Sequence, residues 1–227
     1  MLVKKLIAGS IFAVAAGNVA AVPSDLADLN NDAGSQLFPD VPEDTYHDTH
    51  AGYVSLTDTS GTLDDTNATL LAESAALESG NAFGIYSETT GEQLQVFSGS
   101  DRAISGTTVS FDVSTGLATN NETGATARIG TTFGLFIDNG LGTVWYSDPE
   151  MNGGDDFAGL YDTIGTSGEG LFGSNIVAAF EDTATGDRDY NDMVVGLTDV
   201  TAVPEPGTLA LLGMGILGLG VSRMRKS

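Results

Sequence analysis

Short apolar segments separated by glycine, asparagine, aspartate and serine follow one another between residues 83 and 197. In the clearest one, Val109, Phe111 and Val113 alternate with Ser110 and Asp112, which is the period of a strand with one buried face. Seven segments have this β-type composition: 83–86, 94–97, 107–113, 133–137, 143–146, 176–180 and 193–197. Seven short strands with turn residues between them predict an all-β fold, an antiparallel β-sandwich or jelly roll.

The regions between and before these strands are more polar. Residues 22–68 contain many turn-forming residues and few apolar clusters, so we expect a linker or extended lead-in there. The leucines within 69–77 predict a short helix, and the glycine- and threonine-rich stretch 116–130 predicts a long loop. The β-sandwich domain is accordingly expected over residues 69–200.

The N-terminus has the three-part pattern of a secretory signal peptide. Lys4 and Lys5 precede an apolar run from Leu6 to Ala16, and small residues follow it up to Ala21. We expect residues 1–21 to direct export through the Sec machinery and to be removed after Ala21.

A second apolar segment lies close to the C-terminus. Residues 207–221 are uncharged and would form a helix of about 22 Å, which is short for a hydrocarbon core of about 30 Å. Arg223, Arg225 and Lys226 follow, and their side chains can reach the headgroups and hold this end in the cytoplasm. The pattern predicts one short transmembrane helix with the acidic body outside.

Residues 203–227 resemble the PEP-CTERM sorting signal, in which Pro-Glu-Pro precedes a short helix and a basic tip. The resemblance implies recognition by an exosortase, with Pro204, Glu205 and Pro206 as the part that the enzyme reads. It also implies a Gram-negative bacterium, an inner-membrane intermediate, and delivery to the cell surface or an exopolysaccharide matrix. An ordinary C-terminal anchor has the same topology but does not require Pro-Glu-Pro.

Charge and composition exclude several classes of function. The chain has 31 acidic and 8 basic residues, a net charge of −23, and between residues 22 and 203 the cations are Arg102, Arg128 and Arg188. Such a body repels phosphate backbones, so a nucleic-acid partner is excluded. Cysteine is absent, which rules out disulfides and thiolate chemistry. An apolar fraction of 41% argues against a disordered acidic tail.

Acidic residues are most concentrated between the last two predicted strands. Two unit charges about 4 Å apart repel by about 4 kcal/mol at an effective dielectric of about 20, so convergent carboxylates would oppose folding. Ca²⁺ takes six to eight oxygen ligands from such groups. The sequence therefore predicts a calcium site, although a structural loop with turn-capping aspartates around Arg188 is the alternative. The candidate ligands are Glu181, Asp182, Asp187, Asp189, Asn191 and Asp192.

Phe180-Glu181-Asp182 and the Gly-Asp-Arg-Asp-Tyr-Asn-Asp run at 186–192 resemble the terminal signature of an uncharacterised bacterial extracellular β-domain. Residues 71–75 with 81–86, and 145–149 with 152–156, are similar to earlier blocks of that family. The likeness spans about residues 69–199. It implies a domain of the kind found in PEP-CTERM and calcium-associated adhesin-like proteins, but no mechanism.

A second acidic cluster follows the single tryptophan. Trp145 with Asp148, Asn152 and Asp155 is a combination that sugar-binding surfaces use, although a lone tryptophan in a sandwich is more often part of the core. We therefore expect an exported, acidic surface or matrix protein stabilised by calcium. The alternatives are a calcium-dependent lectin-like adhesin and, third, a carbohydrate-active enzyme. No pair of carboxylates stands out as catalytic, so enzyme activity is not expected.

Overall fold

The structure is a computed structural model that describes residues 22–29, 37–38, 40–42, 45–72, 80–101, 105–164, 173–185 and 188–203. Within these ranges the chain forms β-strands and two short 3₁₀ turns, Leu26–Asp28 and Pro149–Asn152. The strands are β1 (Tyr53–Leu56), β2 (Leu63–Ala72), β3 (Ala82–Tyr86), β4 (Gln93–Phe97), β5 (Gly106–Asp112), β6 (Leu117–Asn120), β7 (Thr126–Arg128), β8 (Thr132–Asp138), β9 (Val144–Tyr146), β10 (Ala158–Asp162), β11 (Ile176–Phe180), β12 (Met193–Leu197) and β13 (Val200–Val203).

The strands pair into two antiparallel sheets. The six-stranded sheet has the order β13-β1-β8-β3-β4, with β9 also paired to β8, and the seven-stranded sheet has the order β10-β11-β12-β2-β5-β6-β7. Aromatic side chains join the two sheets: the Phe111 ring stacks on Phe133 with centroids 5.3 Å apart, and Phe83 meets Phe180 edge-on at 6.1 Å. The predicted all-β sandwich is confirmed.

The core between the sheets follows from alternation along the strands. In β5, Thr107, Val109 and Phe111 are buried, while Thr108 and Ser110 on the other face are half-buried. Burying one valine, leucine or phenylalanine side chain contributes about 1.5–3 kcal/mol, so these inward rows supply most of the driving force for packing. All seven predicted strand segments coincide with strands of the structure.

The predicted helix over 69–77 is wrong where the structure describes it, because residues 69–72 belong to β2. In this strand Thr66, Ala68 and Leu70 are buried and Asp65 and Asn67 are exposed, which is the period of a strand. Residues 73–79 lie outside the described residues.

The predicted long loop at 116–130 is wrong as well, because β6 and β7 form a hairpin there. The chain enters β6 through a tight turn in which the Gly116 N–H donates to the Asp112 carbonyl at 2.8 Å. Gly116 has φ of 71°, a left-handed conformation that glycine adopts without a steric penalty.

The expectation that residues 22–68 form a linker is also wrong, since β1 and most of β2 lie there and other described residues of the segment pack on the sandwich. Residues 22–29, 37–38 and 41 lie against the outer face of the seven-stranded sheet, where Leu26 and Leu29 join a second core cluster with Tyr161 and Val194. The Thr49 N–H donates to the Leu160 carbonyl at 2.9 Å, which holds the segment along β10. The domain therefore includes residues well before 69.

Candidate metal centre

The two ends of the loop between β11 and β12 meet at one end of the seven-stranded sheet. Strands β11 and β12 are antiparallel neighbours, and Phe180 pairs with Met193. Glu181 and Asp182 follow Phe180 directly, and Asp192 comes directly before Met193. Because the pairing continues to the strand ends, these three acidic residues leave the sheet at the same place.

Glu181, Asp182 and Asp192 form a buried cluster that we call the acidic triad. One carboxylate oxygen from each residue lies within 4.8 Å of the others. The residues are 0%, 3% and 7% exposed, respectively. Carboxylates in this arrangement can serve as ligands for one cation.

Neutral donors orient the carboxylates of the triad. The Asp182 backbone N–H donates to Asp192 Oδ2 at 2.7 Å, and Asn81 Nδ2 donates to Asp182 Oδ2 at 2.9 Å. The Thr183 hydroxyl donates to Glu181 Oε1 at 3.3 Å. These hydrogen bonds hold the side chains in place without neutralising their charge.

Burial raises the pKa of Asp192 to about 8. The hydrogen bond from the Asp182 N–H lowers this pKa, whereas the charges of Glu181, Asp182 and Asp189 raise it further. The ionised form of the cluster is therefore costly when no cation is present.

The backbone of the triad is fixed from the opposite sheet. Trp145 Nε1, in β9, donates to the carbonyl oxygen of Asp182 at 2.8 Å, and Asn139 Nδ2, directly after β8, donates to the same oxygen at 3.3 Å. The triad therefore lies at the seam between the two sheets.

The other predicted metal ligands lie in the same loop. Asn191 is fully buried, and its amide Nδ2 and backbone N–H donate to the Asp189 carboxylate. Among the described residues, Asn191 Oδ1 has no hydrogen-bond partner. Asp187 lies outside the described residues. Three of the six predicted ligands thus form the triad, and coordination by Asp189 and Asn191 stays a prediction.

Arg188, the cation in this loop, contacts groups that do not belong to the triad. Its guanidinium carbon lies 4.9 Å from the centroid of the Phe157 ring, and Nη1 donates to the Asp156 carbonyl at 3.1 Å. Phe157 also stacks on Trp145, with ring centroids 3.8 Å apart. The loop is therefore anchored by a cation–π contact.

The residues predicted to bind sugar each make contacts within the protein or lie at its surface. Trp145 is half-buried and stacked on Phe157, and Asp148 Oδ2 accepts a hydrogen bond from the Tyr53 hydroxyl at 2.7 Å. Asn152 exchanges two hydrogen bonds with the backbone of Tyr146, at 2.8 and 3.0 Å. Asp155 is exposed. Sugar binding by this group stays a prediction.

A cleft elsewhere on the sandwich contains a second group of ionisable residues. It has a volume of about 140 Å³ and is lined by Asp48, His50 and Asp156 among others. His50 Nδ1 lies 2.7 Å from Asp48 Oδ2. Burial raises the pKa of Asp156 to about 6, and the charge of Asp48 adds to the rise. The sequence alone does not indicate this group, because Asp48 and Asp156 are far apart in the chain.

A comparison with protein families identifies the C-terminal segment. The family model for the PEP-CTERM protein-sorting motif matches residues 202–226. The chain carries a PEP-CTERM sorting motif. The protein is therefore an exosortase-sorted protein that is exported and directed to the cell surface of a Gram-negative bacterium. Comparisons with curated proteins and with solved structures found no match.

The PEP-CTERM motif begins inside the sandwich. Its first matched residues, Ala202 and Val203, are the last residues of β13 and pair with Val54 and Tyr53 of β1. The predicted signal peptide at 1–21 and transmembrane helix at about 207–221 lie outside the described residues, as do the sorting residues Pro204, Glu205, Pro206, Arg223, Arg225 and Lys226. Among the described residues, no helix has the length and apolarity needed to cross a membrane.

Proposed function

We propose that this exosortase-sorted protein is a structural component of the cell surface or exopolysaccharide matrix, and that calcium bound by the acidic triad stabilises its β-sandwich. The calcium proposal is carried by one observation: three buried carboxylates present oxygens within 4.8 Å of one another. The surface role is supported by the sorting motif.

Electrostatics supports a cation at the triad. Carboxylates about 4 Å apart repel by about 4 kcal/mol per pair at an effective dielectric of about 20, and the hydrogen-bond donors to Asp182 and Asp192 are neutral amides. Leaving such charges unpaired in the interior costs several kcal/mol. A divalent cation offsets both costs.

The donor chemistry favours calcium over the other common metals. The triad offers oxygen atoms, and the chain has no cysteine and two histidines, which pair with Asp25 and Asp48. Zinc prefers nitrogen and sulfur ligands, and Mg²⁺ demands an octahedral shell in which it retains water. Ca²⁺ accepts six to eight oxygens in a flexible geometry, which suits a loop-borne site.

Thermal unfolding of purified full-length protein with calcium or chelator tests the calcium proposal. Calcium at 100 times its Kd adds about 2.7 kcal/mol, a rise in Tm of about 5–10 °C for a domain of this size. Glu181→Gln should lose the response and, in chelator, should melt no lower than wild type because repulsion is relieved. Glu88→Gln, at an exposed position, is the matched control and should respond like wild type. A wild-type Tm that is equal in calcium and chelator would refute the proposal.

The surface role predicts retention without turnover of polysaccharide. Wild type should fractionate with the cell surface or matrix, and deletion of residues 203–227 should abolish this retention. Saturable binding to a defined glycan would instead favour the lectin-like alternative, and release of reducing ends would favour an enzyme. The triad gives no support to catalysis, since its residues are at most 7% exposed and a substrate has little access to them.

A further inference from the structure

Asn81 contributes a buried polar group to the triad from the other sheet. It precedes β3 of the six-stranded sheet and is fully buried. Its Nδ2 donates to Asp182 Oδ2 at 2.9 Å, so the amide group lies against the triad. Among the described residues, Asn81 Oδ1 has no hydrogen-bond partner.

A fully buried amide oxygen without a partner calls for a physical explanation. Nearly all buried polar atoms in folded proteins have a hydrogen bond, since leaving one unmade costs its full desolvation. Here the unpartnered oxygen shares a carbon with the nitrogen that donates to Asp182, so it lies within about 5 Å of that carboxylate oxygen, which belongs to the triad. An amide oxygen beside carboxylates is a ligand set that Ca²⁺ uses.

We propose that Asn81 Oδ1 is a ligand of the cation held by the acidic triad, so that one ion joins the two sheets of the sandwich. The inference rests on the proposed calcium function and extends it. The triad follows β11 and precedes β12 in the seven-stranded sheet, whereas Asn81 belongs to the start of β3 in the six-stranded sheet. An ion with ligands on both sides closes this end of the sandwich.

Other hydrogen bonds close to the triad also join the two sheets. The Asp182 carbonyl accepts hydrogen bonds from Trp145 and Asn139, which both come from the six-stranded side. Asn191 holds a second buried amide oxygen with no described partner, one residue before Asp192. Three carboxylates and two amide oxygens would supply five protein ligands, close to the six to eight that Ca²⁺ takes.

Terbium luminescence offers a direct assay of the ion. Tb³⁺ replaces Ca²⁺ in oxygen-rich sites and emits when a nearby tryptophan transfers energy to it. Trp145 is the single tryptophan of the chain, and its indole nitrogen lies 2.8 Å from the Asp182 carbonyl. Titration of the purified full-length protein with Tb³⁺, followed by displacement with Ca²⁺, therefore measures both affinities.

Two substitutions separate a ligand from a merely structural amide. Asn81→Asp keeps an oxygen but loses the N–H that touches Asp182, and Asn81→Leu keeps the volume but has no oxygen. If Asn81 Oδ1 is a ligand, Asn81→Asp should bind Tb³⁺ at least as tightly as wild type and Asn81→Leu at least 10-fold more weakly. Asn121→Leu, at an exposed asparagine, is the control and should match wild type.

The outcomes distinguish this inference from the proposed function. If wild type binds Tb³⁺ and Asn81→Leu binds it with equal affinity, the inference is overturned and the calcium proposal stays intact. The same holds if wild type binds Tb³⁺ and Asn81→Asp does not. A wild type with no Ca²⁺-displaceable emission and no calcium-dependent Tm would overturn both. Melting in chelator checks that each variant folds. If Asn81→Leu does not fold, Asn81→Ser, whose hydroxyl is too short to reach the ion, is held to the same 10-fold criterion.

Discussion

The indole N–H of Trp145 donates to the carbonyl oxygen of Asp182 at 2.8 Å, and this hydrogen bond crosses from one sheet to the other. Trp145 lies in β9, beside β8, whereas Asp182 follows β11. The tryptophan that sequence alone suggests for sugar binding thus positions the backbone of the acidic triad.

Replacing Trp145 with phenylalanine removes that hydrogen bond and keeps an aromatic ring against Phe157. We expect a loss of about 1–2 kcal/mol in the free energy of unfolding, from one buried hydrogen bond and some packing area. Tyr146→Phe is the control, since it removes a more exposed bond from Gln93 and should cost less than about 0.5 kcal/mol. Denaturant unfolding measures both, and equal losses would contradict the role assigned to Trp145.

The close packing of β3 against β4 makes Gly84 sensitive to any side chain. A Cβ at Gly84 would lie 2.6 Å from the backbone oxygen of Leu94 and would overlap the Phe136 ring. We expect Gly84→Ala to lower the free energy of unfolding by about 3 kcal/mol. Gly106→Ala is the control, because the nearest atom there is 3.6 Å away, and its effect should stay within about 1 kcal/mol. Urea titration would show similar midpoints for the two variants if this steric argument were wrong.

The raised pKa of Asp156 predicts a pH dependence with a definite sign. Its folded pKa is about 6 because of burial, so between about pH 4 and 6 the folded protein retains a proton that the unfolded chain has released. Stability in chelator should therefore fall as the pH rises through this interval, and the contribution of Asp156 should stay constant above it. In a series of melting curves, the Tm of Asp156→Asn should fall less between pH 4 and 6 than the Tm of wild type.

Asp192 provides the contrasting variant in the same experiment. Burial raises its pKa to about 8, so its contribution to stability continues to fall between pH 6 and 8. Asp192→Asn should therefore reduce the fall in Tm between pH 6 and 8. Asp156→Asn should leave the fall in this upper interval as it is in wild type. Profiles that are identical in the two variants would show that other groups dominate the pH dependence.

The sorting motif predicts a change of location without a change of fold. Replacing Pro204, Glu205 and Pro206 together with alanine should leave the protein in the membrane fraction, because the exosortase would no longer recognise it. Thr208→Ala is the control and should reach the surface as wild type does. Cell fractionation with detection of the β-domain measures the difference, and an unchanged distribution of the triple variant would contradict the role of these residues.

The strands that sequence predicts correctly have large apolar or aromatic inward residues. In β5 and β8 the periodic side chains are Val109, Phe111, Phe133 and Leu135, and the signal is strong. In β6, and in β2 before Leu70, the inward positions hold small or polar residues, so the same period carries little apolar contrast and the strands are missed. Those positions are Thr66 and Ala68 in β2 and Ala118 and Asn120 in β6.

The burial of strands β11 and β12 on both faces indicates an outer layer on the sheet, which the alternation of apolar and polar residues does not indicate. Every residue of β11 and β12 is buried, so both faces of these strands need cover. Continuous apolar runs such as 176–180 are typical of strands with two buried faces, which implies a layer outside the sheet. Residues 22–29, 37–38 and 41 supply part of that layer, yet their own turn-rich composition does not reveal it.

Local sequence predicts part of the candidate metal centre. Two adjacent antiparallel strands bring Glu181 and Asp182 beside Asp192, so the flanking apolar runs suffice to place the triad. Asn81 cannot be placed this way, since its approach to Asp182 depends on how the two sheets pack. The sequence alone does not show that Asn191 donates to the Asp189 carboxylate within the loop.

The PEP-CTERM motif starts within β13, so few residues separate the domain from the helix that the sequence predicts. Three residues of any chain span at most about 11 Å, so a helix starting at 207 would lie within that distance of Val203. Any mechanical load on the tail would pass first to the Val203–Tyr53 pair at the edge of the six-stranded sheet. The hydrogen bonds between β13 and β1 would then decide how much tension the attached domain withstands before it begins to unravel.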